Sequence, residues 1–418
     1  MYTNKLVNHH GWEICDMFSR NFDSIICFGG EDWWYHNRAH VDMQLMRRFA
    51  QWGTTLYINS LVMQKPKLGQ GRKFIQKLIR KAISIFTGLK KSDAGFWVYS
   101  PFSLPVHHIR WASRCNEILL RFQIEYVKRK LAMKNPIIWV ACPAACPTAL
   151  KLKPGTLVYQ RTDRFEEFPG VDQEVISEFD RSLKAKADLT IFVNNTLYQE
   201  ESKQCSRAFY LDHGVDYELF ASADKSPYKP RDIADIPNPI VGFFGGIADH
   251  TTDINLIKNV VDLLPEMSFV FVGSVSDEFS TLMESRKNVW ILGQKSYEEI
   301  PHYGKLFSVA IMPWNQNEWI QACNPIKLKE YLALGKPIIS TPFNELNKYR
   351  DVVYIAKTAQ NFAEAIKKAL AEDDPDLISV RRQKVSNTTW DSKAQIVIDT
   401  LLSKKQEVNV VAIDEGHQ

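Results

Sequence analysis

Residues 323–341, CNPIKLKEYLALGKPIIST, read as one helix followed by one strand, with the chemistry gathered at the helix start. Asn324 suits an N-cap, and Pro325 suits a first helical turn, where its missing N–H costs nothing. Leu328, Tyr331, Leu332 and Leu334 supply an apolar side, and Gly335 is placed to close the helix in the left-handed conformation. Beyond Lys336 and Pro337, the run Ile338-Ile339-Ser340 suits a buried parallel strand. Lys327 and Glu330 are three apart and share a face near the helix start. A helix N-terminus with a lysine beside it attracts phosphate, and a carboxylate one turn further in can accept hydrogen bonds from a ribose diol. The stretch therefore outlines a nucleoside-diphosphate site. A surface Lys–Glu pair on an ordinary helix has the same spacing, so the rest of the chain must decide.

Outward from this stretch the same alternation continues. Strands are expected at 240–244, 268–272, 289–292, 309–312, 337–340 and 352–355, with helices at 253–264, 298–306, 325–334 and 361–372 between them. Upstream, strands are expected at 24–28, 54–59, 96–100, 137–142, 156–160, 189–194 and 208–211, with helices at 36–52, 109–133 and 173–187. Strands separated by helices in this order predict a parallel sheet covered on both faces. Residues 221–239 hold four prolines and few large apolar side chains, which predicts a linker. The expected architecture is α/β, with two doubly wound, Rossmann-like domains facing a cleft: residues 1–220, the linker 221–239, and 240–380. A last helix at 383–402 follows within a crossing segment 381–405, and 406–418 form a flexible tail.

Composition narrows the class. The chain has 418 residues, 45% apolar and 24% charged, with a net charge of +4, values of an ordinary globular protein with ample core. That charge is too small to imply nucleic acid. Seven cysteines are scattered without a CxxC pair, which predicts reduced thiols and no zinc site. The N-terminal stretch has no signal-peptide pattern, and no apolar run reaches a membrane span, so a cytoplasmic protein is expected.

Two glycine pairs sit at the first strand-to-helix turn of each half: Gly29-Gly30 and Gly245-Gly246. Glycines there let backbone N–H groups approach a phosphate. Asp32-Trp33-Trp34 follows the first pair, and paired aromatics beside a cleft can stack on sugar rings, although buried tryptophans are commoner. His107 opens a long helix on the same side, a candidate acceptor contact or simple helix-start packing. Residues 65–91 carry nine Lys/Arg and no acid; subtracting these nine from +4 leaves −5 for the remainder. Phe74, Ile75, Leu78, Ile79, Ala82, Ile83 and Phe86 recur there at helical spacing, with Lys73, Lys77, Arg80 and Lys81 largely opposite. A basic amphipathic helix suits an anionic membrane surface, at ~1 kcal/mol per charge. A domain helix with a solvated basic face has the same pattern.

VGFFGGIAD (241–249), FVFVGS (269–274), NVWILGQKSYEEIPHY (288–303) and NPIKLKEYLALGKPIIST together resemble the second domain of GT-B glycosyltransferases of family 4. HGVDYELF (213–220) is similar to that family's interdomain NGVDxxxF, with His213 in the usual Asn position. DWWYHNRAHVDMQLMRRFAQWGTTLYINS (32–60), NPIIWVACP (135–143) and YQRTDRFEEFPGVD (159–172) extend the resemblance toward enzymes of teichuronic acid and exopolysaccharide assembly. The resemblance implies a C-terminal helix that packs back toward the first domain. It implies transfer of a sugar from a nucleotide-diphosphate sugar, UDP-linked rather than GDP-linked, to a saccharide or polyprenyl-linked acceptor. No DxD-like motif stands at a strand end, so no metal or cofactor is expected, and the basic helix would bring the protein to the inner face of the plasma membrane. A nucleotide-sugar epimerase and a non-catalytic nucleotide-sugar or membrane-binding module are the alternatives.

Residue by residue, Glu330 would bind the ribose, and Gly245, Gly246, Asn324, Ile326 and Lys327 would hold the diphosphate. Gly293, Gln294 and Tyr297 would lie by the nucleobase. Asp163 would face the reacting sugar, as base or as ligand of a donor hydroxyl, unless Arg161 and Arg164 merely pair with it. The family pattern is Glu-x7-Glu, but Ala322 stands eight residues before Glu330, and Gly246 stands where the family has Arg. Lys327 would replace that positive charge, and Glu318 or His213 would attend the donor sugar. Gly29, Gly30, Trp33 and His107 would lie on the acceptor side.

Overall fold

The computed structural model describes residues 22–35, 39–63, 71–103, 110–152, 155–168, 170–372, 374 and 376–403, without side chains for 71–78 and 110–111. His107 and the side chains of Lys73 and Lys77 lie outside the described residues.

The first domain is built on eight strands: β1 Ser24–Phe28, β2 Thr54–Ile58, β3 Leu89–Lys91, β4 Trp97–Tyr99, β5 Pro136–Val140, β6 Thr156–Arg161, β7 Leu189–Phe192 and β8 Ala208–Tyr210. Their order is β3-β4-β2-β1-β5-β6-β7-β8, parallel throughout except for β3. Alternation in β1 explains why the sheet is covered on both faces: Ile25 and Cys27 enter one apolar cluster, Ile26 and Phe28 the other. Helices that bear on the argument are α1 Val41–Phe49, α2 Gly71–Thr87, α3 Arg110–Lys130 and α4 Asn195–Glu201. Edge strand β3, LKK, was not expected. Its lysines hide it as a strand and suit an exposed edge.

The second domain has six parallel strands: β9 Ile240–Phe244, β10 Ser268–Val272, β11 Val289–Gly293, β12 Val309–Met312, β13 Ile338–Ser340 and β14 Tyr354–Ile355, in the order β11-β10-β9-β12-β13-β14. Strand order reverses at β1/β5 in one sheet and at β9/β12 in the other. The crevice outside such a switch point is where open α/β sheets bind ligands. Both glycine pairs stand there.

Three expectations change. Residues 221–239 are folded onto the second domain: Ala223, Ile233 and Ile236 join its core, and Lys305 Nζ donates to Ser226 O at 2.6 Å. The final helix is two helices, Asp376–Ser386 and Trp390–Leu402, because Thr389 caps the second through Ser392 N (3.1 Å) and the break pairs with Val215. Trp390, Ala394, Val397 and Ile398 then enter a first-domain cluster, so the chain does cross back. The helix of the quoted stretch, α6 Lys327–Ala333, starts two residues later than expected. It follows a short helix, α5 Glu318–Gln321. Gly335 closes α6 at φ +76°, with Lys336 N–H donating to Tyr331 O at 3.0 Å. Among the described residues, no helix is long and apolar enough to cross a membrane.

Candidate functional site between the two domains

A cleft of about 350 Å³ lies between the switch points. Its second-domain wall includes Gly245, Gly246, Tyr297, Asn324, Ile326, Lys327 and Glu330; Thr162, Asp163 and His213 face them from the first-domain side.

Glu330 is 3% exposed, and its Oε1 has no hydrogen-bond partner; the buried Tyr297 hydroxyl stands beside the carboxylate and favours its ionised form. Burial raises the Glu330 carboxyl above the usual range, and neighbouring Lys327 opposes that rise. An unsatisfied buried carboxylate oxygen is costly and calls for a donor. Lys327 Nζ lies 5.2 Å from the centroid of Trp314 and 5.5 Å from that of Phe243. Burial lowers its pKa. The aromatic faces hold the ammonium in place without neutralising it.

Gly245 has φ +127°, and a Cβ built there would stand 2.0 Å from Lys327 Cε. The space that this glycine leaves open is thus filled by the lysine. Gly245 N–H donates to Val272 O (2.8 Å) and Ile247 N–H to Ser274 O (2.9 Å), so Gly246 supplies the remaining N–H of the turn.

Asn324 does not cap α6. Its Nδ2 donates across the domain boundary to Val193 O (2.8 Å) and Asp212 Oδ1 (2.7 Å). Lys329, 2% exposed, pairs with Asp212 Oδ2 at 2.7 Å and donates to His213 O. Despite burial, the Lys329 and Lys348 charges hold the Asp212 carboxyl well below its ordinary value. His213 is buried, its Nδ1 unpartnered and its ring edge-on to Trp390; burial pushes its pKa down to about 3.

Asp163 follows β6. Arg161 is committed to Glu166, Asp180 and Glu201, and Arg164 to Glu200 and Glu167. Neither arginine is taken up by Asp163, which removes the simple ion-pair explanation. Burial raises the Asp163 pKa, with nearby His40 and Arg161 opposing. The Cys323 thiol donates to Asp163 Oδ1 at 3.8 Å.

Other expected residues fall elsewhere. Gly293 ends β11 and Gln294 follows it, and neither lines the cleft. Glu318 is exposed at the start of α5, also outside the lining. Trp33 is fully buried against Phe96, at 4.6 Å between rings, and cannot stack on a ligand. The Gly29–Gly30 turn is closed internally: Gly29 N–H donates to Ile58 O (2.9 Å), and Gly30 N–H to Asp42 Oδ2 (2.8 Å). Lys81 turns inward and donates to Ser60 O at 3.0 Å, while Arg80 stays exposed over Tyr35.

His40, Thr251, Trp314, Trp319 and Cys323 line the cleft without having been singled out. The loop 313–319, PWNQNEW, carried a usable signal in its two tryptophans rather than in its carboxylate. His40 precedes α1 without capping it through its side chain.

Known proteins resemble this arrangement. Residues 238–372 match the family model described as Glycosyl transferases group 1. Sucrose-phosphate synthase from Thermosynechococcus elongatus superposes with TM-score 0.67 at 14% identity, covering 91% of this chain and 98% of that one. Anabaena HepE, in complex with UDP and glucose, gives 0.64 at 12%, covering 92% and 100%. An α,α-trehalose-phosphate synthase (UDP-forming) from Burkholderia vietnamiensis gives 0.60 at 13%, covering 92% and 100%. The fold is that of GT-B proteins, and its second domain is similar to the group 1 glycosyl transferases. Among individual proteins, the chain is similar to TuaH of Bacillus subtilis (strain 168), provisionally named a teichuronic acid biosynthesis glycosyltransferase. The two are 28% identical over 236 residues, 51% of this chain and 58% of TuaH, so the match spans little more than half of that relative.

Proposed function

We propose that the protein transfers a sugar from a UDP-sugar to a saccharide or lipid-linked saccharide in cell-surface polysaccharide synthesis. The observation that carries the donor half is the buried, unpartnered Glu330 Oε1 facing the cleft beside Lys327. Ionised, Glu330 accepts hydrogen bonds from the ribose hydroxyls. Lys327 and the Gly246 N–H meet the diphosphate, stabilising the charge that develops on it as the glycosidic bond breaks; no metal is needed for that step. Asp163 faces the sugar across the cleft, either taking the acceptor proton or holding a donor hydroxyl. The UDP complex named for HepE and the name of TuaH support the nucleotide and the pathway respectively.

Calorimetry with UDP, with and without a chelator, tests the donor half. Glu330→Ala should weaken binding about tenfold or more, as expected when a charged hydrogen bond is lost; unchanged affinity would remove the assignment. Incubation with a UDP-sugar panel separates the chemistry: slow UDP release marks a transferase, and sugar isomerisation marks an epimerase.

A further inference from the structure

The described part of α2, residues 79–87, turns polar side chains inward and apolar ones outward. Ser84 is fully buried, held by Asn59 Nδ2 (3.2 Å), Ser100 Oγ (2.5 Å) and Asp32 Oδ2 (2.8 Å). Lys81, one turn earlier on the same side, is drawn in by Ser60 O. This polar anchoring leaves Ile79 and Ile83 each 53% exposed and Phe86 90% exposed. These residues are spaced i, i+4, i+7, a single stripe along the outer side.

A second apolar stripe lies beyond the end of β4. Ile118 (46%), Phe122 (67%) and Tyr126 (67%) follow one another at four-residue steps on α3, with Leu119 (39%) alongside. Gln123 of α3 joins them to Phe102 (48% exposed) by bonding both its N–H and its carbonyl at 2.9 Å. Ser100, two residues before Phe102, is the group that anchors Ser84. Both stripes therefore flank the exit of one strand in the first domain.

We infer that this surface is a docking site for an anionic lipid bilayer, with Ile79, Ile83 and Phe86 entering the headgroup–acyl boundary. Charge selects the occupant. The segment 65–91 contains nine basic residues and no acid, and of those with described side chains Arg80, Lys90 and Lys91 are exposed. A 17-residue helix is about 25 Å long and suits a position in the interface plane. An apolar stripe with a basic border gains both hydrophobic transfer and attraction to anionic headgroups. The inference deepens the proposed function by bringing a lipid-linked acceptor to the first domain, but its surface argument stands without the transferase chemistry.

The test uses the full chain and sedimentation with vesicles of phosphatidylcholine, alone or mixed with phosphatidylglycerol, at low and high salt. Binding to the mixed vesicles is expected, partly retained at high salt because the apolar contribution is not screened. The triple variant Ile79→Ser/Ile83→Ser/Phe86→Ser should lower partitioning roughly tenfold or more, since each side chain loses apolar transfer. Phe86→Ser alone changes a side chain with little packing to lose, and should lower partitioning about threefold. Vesicle binding equal to that of the parent in both variants overturns the inference. So does a parent that ignores vesicles but dimerises through the stripe. UDP affinity is measured in parallel: vesicle binding without UDP binding removes the transferase reading and leaves the surface in place.

Discussion

Lys327 crosses directly over the α-carbon of Gly245, so that any Cβ on that glycine would meet Lys327 Cε at 2.0 Å. The two residues are 82 apart in sequence, yet one specifies the other. Glycine tolerates φ +127° and leaves the channel through which the lysine reaches the cleft. Gly245→Ala should displace the ammonium and weaken UDP binding about tenfold. The double variant Gly245→Ala/Lys327→Ala should bind UDP no worse than Lys327→Ala alone, because both act on one interaction. Additive losses in calorimetry would show that Gly245 acts by another route.

If Glu330 holds the ribose as proposed, UDP binding should carry a pH dependence with a definite sign. Burial holds its pKa above the ordinary carboxylate value in the unliganded protein. Donors from a ribose favour the ionised form and lower that pKa. Binding should then release protons, and affinity should rise with pH until the unliganded carboxyl is ionised. Calorimetry in buffers of different ionisation enthalpy measures the release. Glu330→Gln should abolish it.

His213 should make the fold acid-sensitive. Its pKa falls from about 6.5 to about 3 on folding, so between these values the unfolded chain binds the extra proton. Stability from this residue is complete above pH 6.5 and is lost as pH falls toward 3. Asp212, whose pKa is also depressed, adds its own loss only below about 4. The melting temperature of His213→Asn should therefore rise relative to that of the parent as pH falls from 6.5 to 4.5, because the raised Glu330 and Asp163 carboxyls act alike in both.

Asp212 anchors the domain contact from the first-domain side. Asp212→Asn leaves the Lys329 ammonium buried without its counter-charge, at a cost of about 3 kcal/mol. Denaturant unfolding measures that cost, and small-angle scattering reports whether the domains separate. A variant with parental stability and dimensions would show that the pair does not hold the domains together.

Much of the fold could be read from local pattern. Five-residue apolar runs such as 240–244, IVGFF, must be covered on both faces, and helices of 3.6 periodicity between them leave few topologies. The exceptions share a cause. β3 consists of a leucine and two lysines and is a strand only because β4 offers it an edge. Residues 221–239 look like a linker by their prolines, but Ile233 and Ile236 meet the second core at long range. The break at 387–389 exists because Val215 pairs with Thr389.

The site divides in the same way. Glu330, Lys327 and the glycines of 245–246 were grouped by their spacing along one helix and one turn, and all four line the cleft. Asp163 and His213 followed from resemblance, and both line the cleft. Trp33 was misplaced because an aromatic after a glycine turn has the same sequence pattern whether it points to solvent or to Phe96.

From the sequence alone came two doubly wound domains, the glycine turns after their first strands and the Lys–Glu spacing on one helix, since backbone hydrogen bonding and alternating burial act over neighbouring residues. Tertiary structure decided what those elements face. It put Lys327 into the space above Gly245, turned Asn324 from a cap into a bridge, and oriented the end of α2 so that Ser84 is buried and Phe86 is exposed. Such choices depend on which partner lies across the domain or sheet, and no local periodicity encodes that partner.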